Sequence, residues 1–128
     1  MKLTLTHAIV AIVLALSLAA APVAAGPFED AIAAYESGDY ATALRLLRPF
    51  AEQGNAAAQF NLGSMYHEGH GVPQDYISAH MWLNLAAASG EQRGAQRRDA
   101  VARSMTPAQI AEAQKLAREW KPTTQPPR

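Results

Sequence analysis

The chain has 128 residues, 49% of them apolar, which allows one domain with one modest core and excludes two independent domains. Its 11 basic and 11 acidic side chains balance, so no whole-molecule field points to nucleic acid, an anionic membrane or a highly acidic partner. There is no cysteine, which excludes disulfides, thiol chemistry and a thioether-linked lipid anchor.

Met1 and Lys2 make a short positive start, and an apolar run from Ala8 to Ala21 follows. That run is shorter than the roughly 20 apolar residues a membrane-spanning helix needs. It stops at Val23, Ala24 and Ala25, which place short side chains at the positions read by a signal peptidase ahead of Gly26. The expectation is a secretion signal over residues 1–25, cleaved after Ala25. With no positive stop-transfer flank behind it, no stable membrane anchor is expected after cleavage, and the protein is placed in the periplasm or outside the cell. Disulfides persist there, so a cysteine-free domain must rely on packing.

Beyond the signal, Phe28, Ile32 and Tyr35 stand at i, i+4 and i+7, one face of a short helix ending before Gly38. Asp39 is an N-cap for a second helix striped by Tyr40, Ala43, Leu44, Leu47 and Ala51, with Gly54 at its left-handed exit. Asn55 caps a third, carrying Ala58, Leu62, Met65 and Tyr66 along one face. A loop over residues 69–74 leads to Asp75, the cap of a fourth helix that ends at Gly90. Thr106, Pro107 and Gln109 set up a capping box for a last helix striped by Ile110, Ala113, Leu116, Ala117 and Trp120. Residues 26–121 thus form the helical domain, and the proline-rich residues 122–128 read as a disordered tail.

Internal repetition organises this list. Asp39, Tyr40, Ala43, Leu47, Ala51 and Gly54 recur 36 residues later as Asp75, Tyr76, Ala79, Leu83, Ala87 and Gly90. A period of that size, with a helix hairpin as its unit, is the mark of an α-solenoid, in which each hairpin buries a face on its neighbour. Gly63 in mid-helix is unfavourable by propensity, so its missing side chain predicts a tight helix crossing.

Taken together, Leu62, Gly63, Tyr66, Gly69, Gly71, Val72, Asp75, Ala79, Trp82, Ala86, Ala87 and Gly90 resemble a complete Sel1-like repeat over residues 55–90. Residues 28–54, whose connection is about five residues shorter, are similar to the related tetratricopeptide hairpin. Past residue 91 the pattern fades: Ala95 and Gln96 echo Ala58 and Gln59, but Asp99 stands where Leu62 would be. That reads as an end cap offering water a polar outer face. The resemblance, joined to the leader, implies an exported bacterial member of the family. The expected fold is all-α, a short α-solenoid of about three antiparallel helix hairpins.

Catalysis finds no support in the sequence. None of Ser64, Ser78, Ser89 or Ser104 sits in a Gly-X-Ser-X-Gly elbow. His67 and His70 flank Glu68, but at i, i+3 across a helix end, whereas zinc-binding histidines on a helix stand at i, i+4. They read as exposed loop residues, His80 falls on the polar side of its helix, and no metal or cofactor is expected. Arg93, Arg97, Arg98 and Arg103 form the one basic cluster, within a stretch (residues 91–121) of seven basic and four acidic side chains. Residues 26–54 carry two basic and five acidic ones, so head-to-tail self-association is open to the chain.

A helical wheel at 100° per residue centres the buried face of the third helix on Ala58, Leu62 and Tyr66. It turns Phe60, Asn61, Ser64 and His67 to the other side, the surface that solenoids of this type present as a concave groove. Phe60 either anchors a bound peptide or packs on the adjacent hairpin. Trp82 and Trp120 read as core. The functional expectation is a non-enzymatic interaction module holding a protein or peptide partner, as adaptors of the resembled family do, with no nucleic acid involved. Two alternatives stay open: a small exported hydrolase or ligand-binding accessory, which needs His67, His70 and a carboxylate to converge in a concavity, and a self-associating structural solenoid.

Overall fold

A computed structural model of the chain describes residues 26–124 and shows six helices with no strand among the described residues. In order they are α1 (Pro27–Glu36), α2 (Tyr40–Glu52), α3 (Ala56–Glu68), α4 (Tyr76–Ala88), α5 (Gln92–Ala102) and α6 (Pro107–Glu119). The expected secretion signal over residues 1–25 and the last four residues of the tail lie outside the described residues.

Three of the connections are built alike, and each is specified by one glycine and the residue after it. At the end of α1, the Gly38 and Asp39 amides donate to the Tyr35 and Ala34 carbonyls; at the end of α2, Gly54 and Asn55 donate to Ala51 and Phe50; at the end of α4, Gly90 and Glu91 donate to Ala87 and Ala86. These are Schellman closures, with the glycine left-handed in every case. The residue that completes each closure then starts the next helix. The side chains of Asp39, Asn55 and Glu91 accept from the amides of Thr42, Ala58 and Arg93. Chain direction therefore reverses within three residues.

The α3–α4 connection is longer and reaches back to the preceding hairpin. Its mouth is closed by the Asp75 amide donating to the Tyr66 carbonyl at 3.0 Å. Gly71 has φ +73°, and a Cβ there would lie 2.8 Å from the Tyr40 carbonyl oxygen, so only glycine lets the loop rest on the start of α2.

Consecutive helices pack from α1 through α5. The tight crossing expected at Gly63 is present: a Cβ there would fall 2.8 Å from Leu83 Cγ. Gly94 repeats the device from the other side, since its Cβ would fall 2.8 Å from both the Leu83 carbonyl oxygen and the Ala87 nitrogen. Leu83, fully buried, is thus gripped between α3 and α5. One core cluster, including Leu47, Leu62, Met65 and Trp82, runs through α1–α4; a smaller one joins Phe60, Ala79, Leu83, Ala86 and Val101 across α3, α4 and α5.

The all-α solenoid stands, but its last pair departs from a plain hairpin. The capping box of α6 forms as expected, with Thr106 and Gln109 bonded reciprocally. The helix then packs mainly on α4 and not on α5. The cause is apolar supply. Gly94 and Val101 are the buried residues of α5, so it offers α6 little to cover, whereas α4 presents Trp82 and Leu85. Ala117 and Trp120 join that cluster, with the Trp120 ring edge-on to Trp82 at 6.2 Å. Beyond α6, the Thr123 amide donates to the Glu52 carbonyl at 2.7 Å, tying the chain to the end of α2.

Candidate partner-binding face

α3 has the most buried residues of the six helices. Ala58, Gln59, Phe60, Leu62, Gly63, Ser64 and Met65 are all buried, because α2 and α4 flank it and α5 touches it. This corrects the outward placement of two expected surface residues: Phe60 is 9% exposed and Ser64 4%. Asn61 and His67 are half-exposed, and His67 faces Tyr76 with ring centroids 5.9 Å apart. His80 is corrected too, being 3% exposed at the packed side of α4 and not on a polar surface. Burial and the neighbouring Arg98 hold its pKa below the ordinary 6.5, against an opposing pull from Asp99. Gln59, which the wheel ignored, is fully buried and donates to the Ala51 carbonyl across the α2–α3 interface at 3.2 Å.

Phe60 nevertheless keeps one part of its ring at the surface, as the floor of a groove of about 450 Å³ whose wall is α5. Arg93, Gln96, Arg97 and Ala100 line it, at i, i+3, i+4 and i+7 along that helix, which is why they share one face. The Arg93 guanidinium carbon sits 4.5 Å from the Phe60 ring centroid and that of Arg97 5.9 Å, a cation–π arrangement over the ring. Glu91 grips Arg93 through Nε and one terminal nitrogen at 2.9 and 3.0 Å, and this pairing lowers the Glu91 pKa to about 2.

Next to the groove, three elements converge on Glu68. The Tyr35 hydroxyl of α1 donates to it at 3.0 Å, His70 Nδ1 of the loop lies at 3.0 Å, and an Arg97 terminal nitrogen of α5 at 3.6 Å. His70 in turn stacks on Tyr40 of α2, with the rings 4.1 Å apart and 6° from parallel. Partial burial, then the Glu68 carboxylate, push the Tyr35 phenol up to about 12. The cluster ties α1 and the α3–α4 loop to the end of α3 beside the groove.

The geometry separates the histidines. His70 meets Glu68, but His67 turns to Tyr76, and among the described residues no group of three or more His, Cys, Asp or Glu side chains converges as a metal site would require. Of the basic cluster, Arg93 and Arg97 overhang the groove, while Arg98 donates to Asn84 on α4 at 2.7 Å and pairs with Asp99. Gln96 and Ala100 carry no charge or aromatic signal, and only the i, i+3, i+4, i+7 spacing on α5 links them to Arg93. Among the described residues no helix is long and apolar enough to cross a membrane.

The expected signature residues hold structural posts. Leu62, Ala79 and Ala86 are fully buried, Trp82 is 6% exposed, Asp75 caps α4, and Tyr66 accepts from Arg48 at 3.2 Å. None of the curated proteins matches the chain. The family model of the Sel1 repeat does, twice, at residues 33–55 and 56–91. The first match takes in the shorter hairpin, which on its residues alone is closer to a tetratricopeptide unit; the second coincides with the fully occupied pattern. The chain therefore carries two consecutive Sel1 repeats over residues 33–91.

Proposed function

We propose that this protein is an exported adaptor that performs no chemistry and holds a protein partner along the face shared by α1, α3 and α5, with the Phe60 groove as its anchor point. Sel1 repeats are generally protein–protein interaction modules, which favours this class. The observation that carries the reading is the groove: a buried aromatic floor under a charged wall, the make-up of an interface anchor. The apolar run from Ala8 to Ala21, followed by the short side chains of Val23, Ala24 and Ala25, supports export. The hydrolase alternative needs both histidines beside one carboxylate in a concavity, and only His70 reaches one.

Ala100→Trp tests the face, because a large side chain there fills the groove from the solvent side of α5 and leaves α3 and α4 untouched. Affinity capture from the envelope fraction of the source cell is expected to recover a protein with the wild type that the variant does not retain, both having native helical circular dichroism. Retention of the same partner by both contradicts the proposed face. Empty captures from both, with concentration-dependent sedimentation, would shift the reading to self-association.

A further inference from the structure

We infer that the Phe60 groove selects acidic peptide segments, taking a carboxylate between Arg93 and Arg97 where they overhang the Phe60 ring. The inference rests on the reading that this face holds a protein partner, and it adds the partner's chemistry. The chain as a whole is neutral, but the groove is not: its lining holds two guanidinium groups, one amide and no acid. Arg93 is already positioned. Glu91 takes the Nε edge of Arg93, so the guanidinium is held over the ring while N–H groups on its far side are left over from its five donors. Arg97 lies 3.6 Å from Glu68, too far for a direct hydrogen bond, and Glu68 is committed to Tyr35 and His70, so an incoming carboxylate at Arg97 displaces no short contact. A side chain held as Arg93 is loses little freedom when a ligand arrives. Between them, Gln96 offers one donor and one acceptor group, suited to a peptide backbone. A basic segment would meet two like charges, and the acids beside them, Glu91 and Glu68, are turned to their own partners outside the lining.

Selection of random dodecapeptides displayed on phage against the purified protein reads this directly. The expected result is enrichment of Asp and Glu. Binding of the recovered peptides, measured by fluorescence anisotropy, is expected to weaken about tenfold or more in Arg93→Gln with Arg97→Gln, and to weaken as salt is raised. Both arginines are on the surface, so the double variant keeps its fold, checked by circular dichroism. Acidic peptides that bind the double variant as well as the wild type overturn the inference. Acid-poor peptides that Ala100→Trp nevertheless blocks also overturn it, while leaving the groove as a binding face. Recovery of no peptide at all overturns it too, and the capture experiment then judges the adaptor reading on its own.

Discussion

α3 and α5 occupy equivalent places, each the first helix of its pair, yet they differ in almost every physical respect. α3 buries seven residues on several sides, whereas the buried residues of α5 are Gly94 and Val101. A helix packed between two neighbours loses its apolar stripe because every side has a partner to cover; α5 keeps a polar side because α6 packs on α4 and leaves that side uncovered. The groove lies where the two meet, with an aromatic floor from the crowded helix and a charged wall from the sparse one. The comparison teaches that the proposed binding surface draws its charge from α5, outside the matched repeats, while the repeat supplies the packed base beneath it.

Leu83→Ala should break the base most severely, since this fully buried residue is gripped between Gly63 and Gly94 and leaves a cavity; about 3–5 kcal/mol is expected in urea unfolding. Gly94→Ala sharpens the comparison through its sign. An exposed helical glycine would gain about 1 kcal/mol from alanine. Here the added Cβ lands 2.8 Å from backbone atoms of α4, so a net loss of about 2 kcal/mol is expected, and stabilisation would show that α5 stands off from α4. Trp120→Ala should cost roughly 2 kcal/mol, less than a fully buried tryptophan, and should raise amide exchange in α6 and leave α3 protected. Asn55→Ala removes the cap of α3 and should cost about 1 kcal/mol.

The smallest effect concerns pH. His80 has its pKa lowered in the folded state, so as pH falls through 6.5 the unfolded chain binds a proton that the folded chain refuses. Its contribution is complete above that value and is lost progressively below it, toward the folded pKa. Urea midpoints taken between about pH 7.5 and about pH 5 should fall more for the wild type than for His80→Gln. Equal slopes would mean that His80 charges freely in place.

Much of the fold was legible because it rests on local chemistry. The residue pairs Gly38–Asp39 and Gly54–Asn55 announce both the exit of one helix and the entry of the next, and Gly63 announces a crossing that its environment confirms. The path of α6 was not legible, because its stripe fits either neighbour and the choice is made by the poverty of α5. The site was half legible. The off-stripe position of Phe60 and the cluster containing Arg93 and Arg97 are visible along the chain, but a wheel drawn for one helix assumes one buried side. For α3 that assumption fails, so Ser64 was turned outward, as His80 was on α4, and the meeting of Phe60 with α5 depends on contacts that no single-helix pattern encodes.

The most direct test of the claim that the functional face lies where α3 meets α5 is a backbone-amide NMR titration of the protein with the acidic peptides recovered by display. The account predicts that shift changes concentrate at Phe60, Arg93, Gln96, Arg97 and Ala100, with α2 and α6 unaffected. Changes centred on α2 or α6, with the groove residues silent, would contradict it.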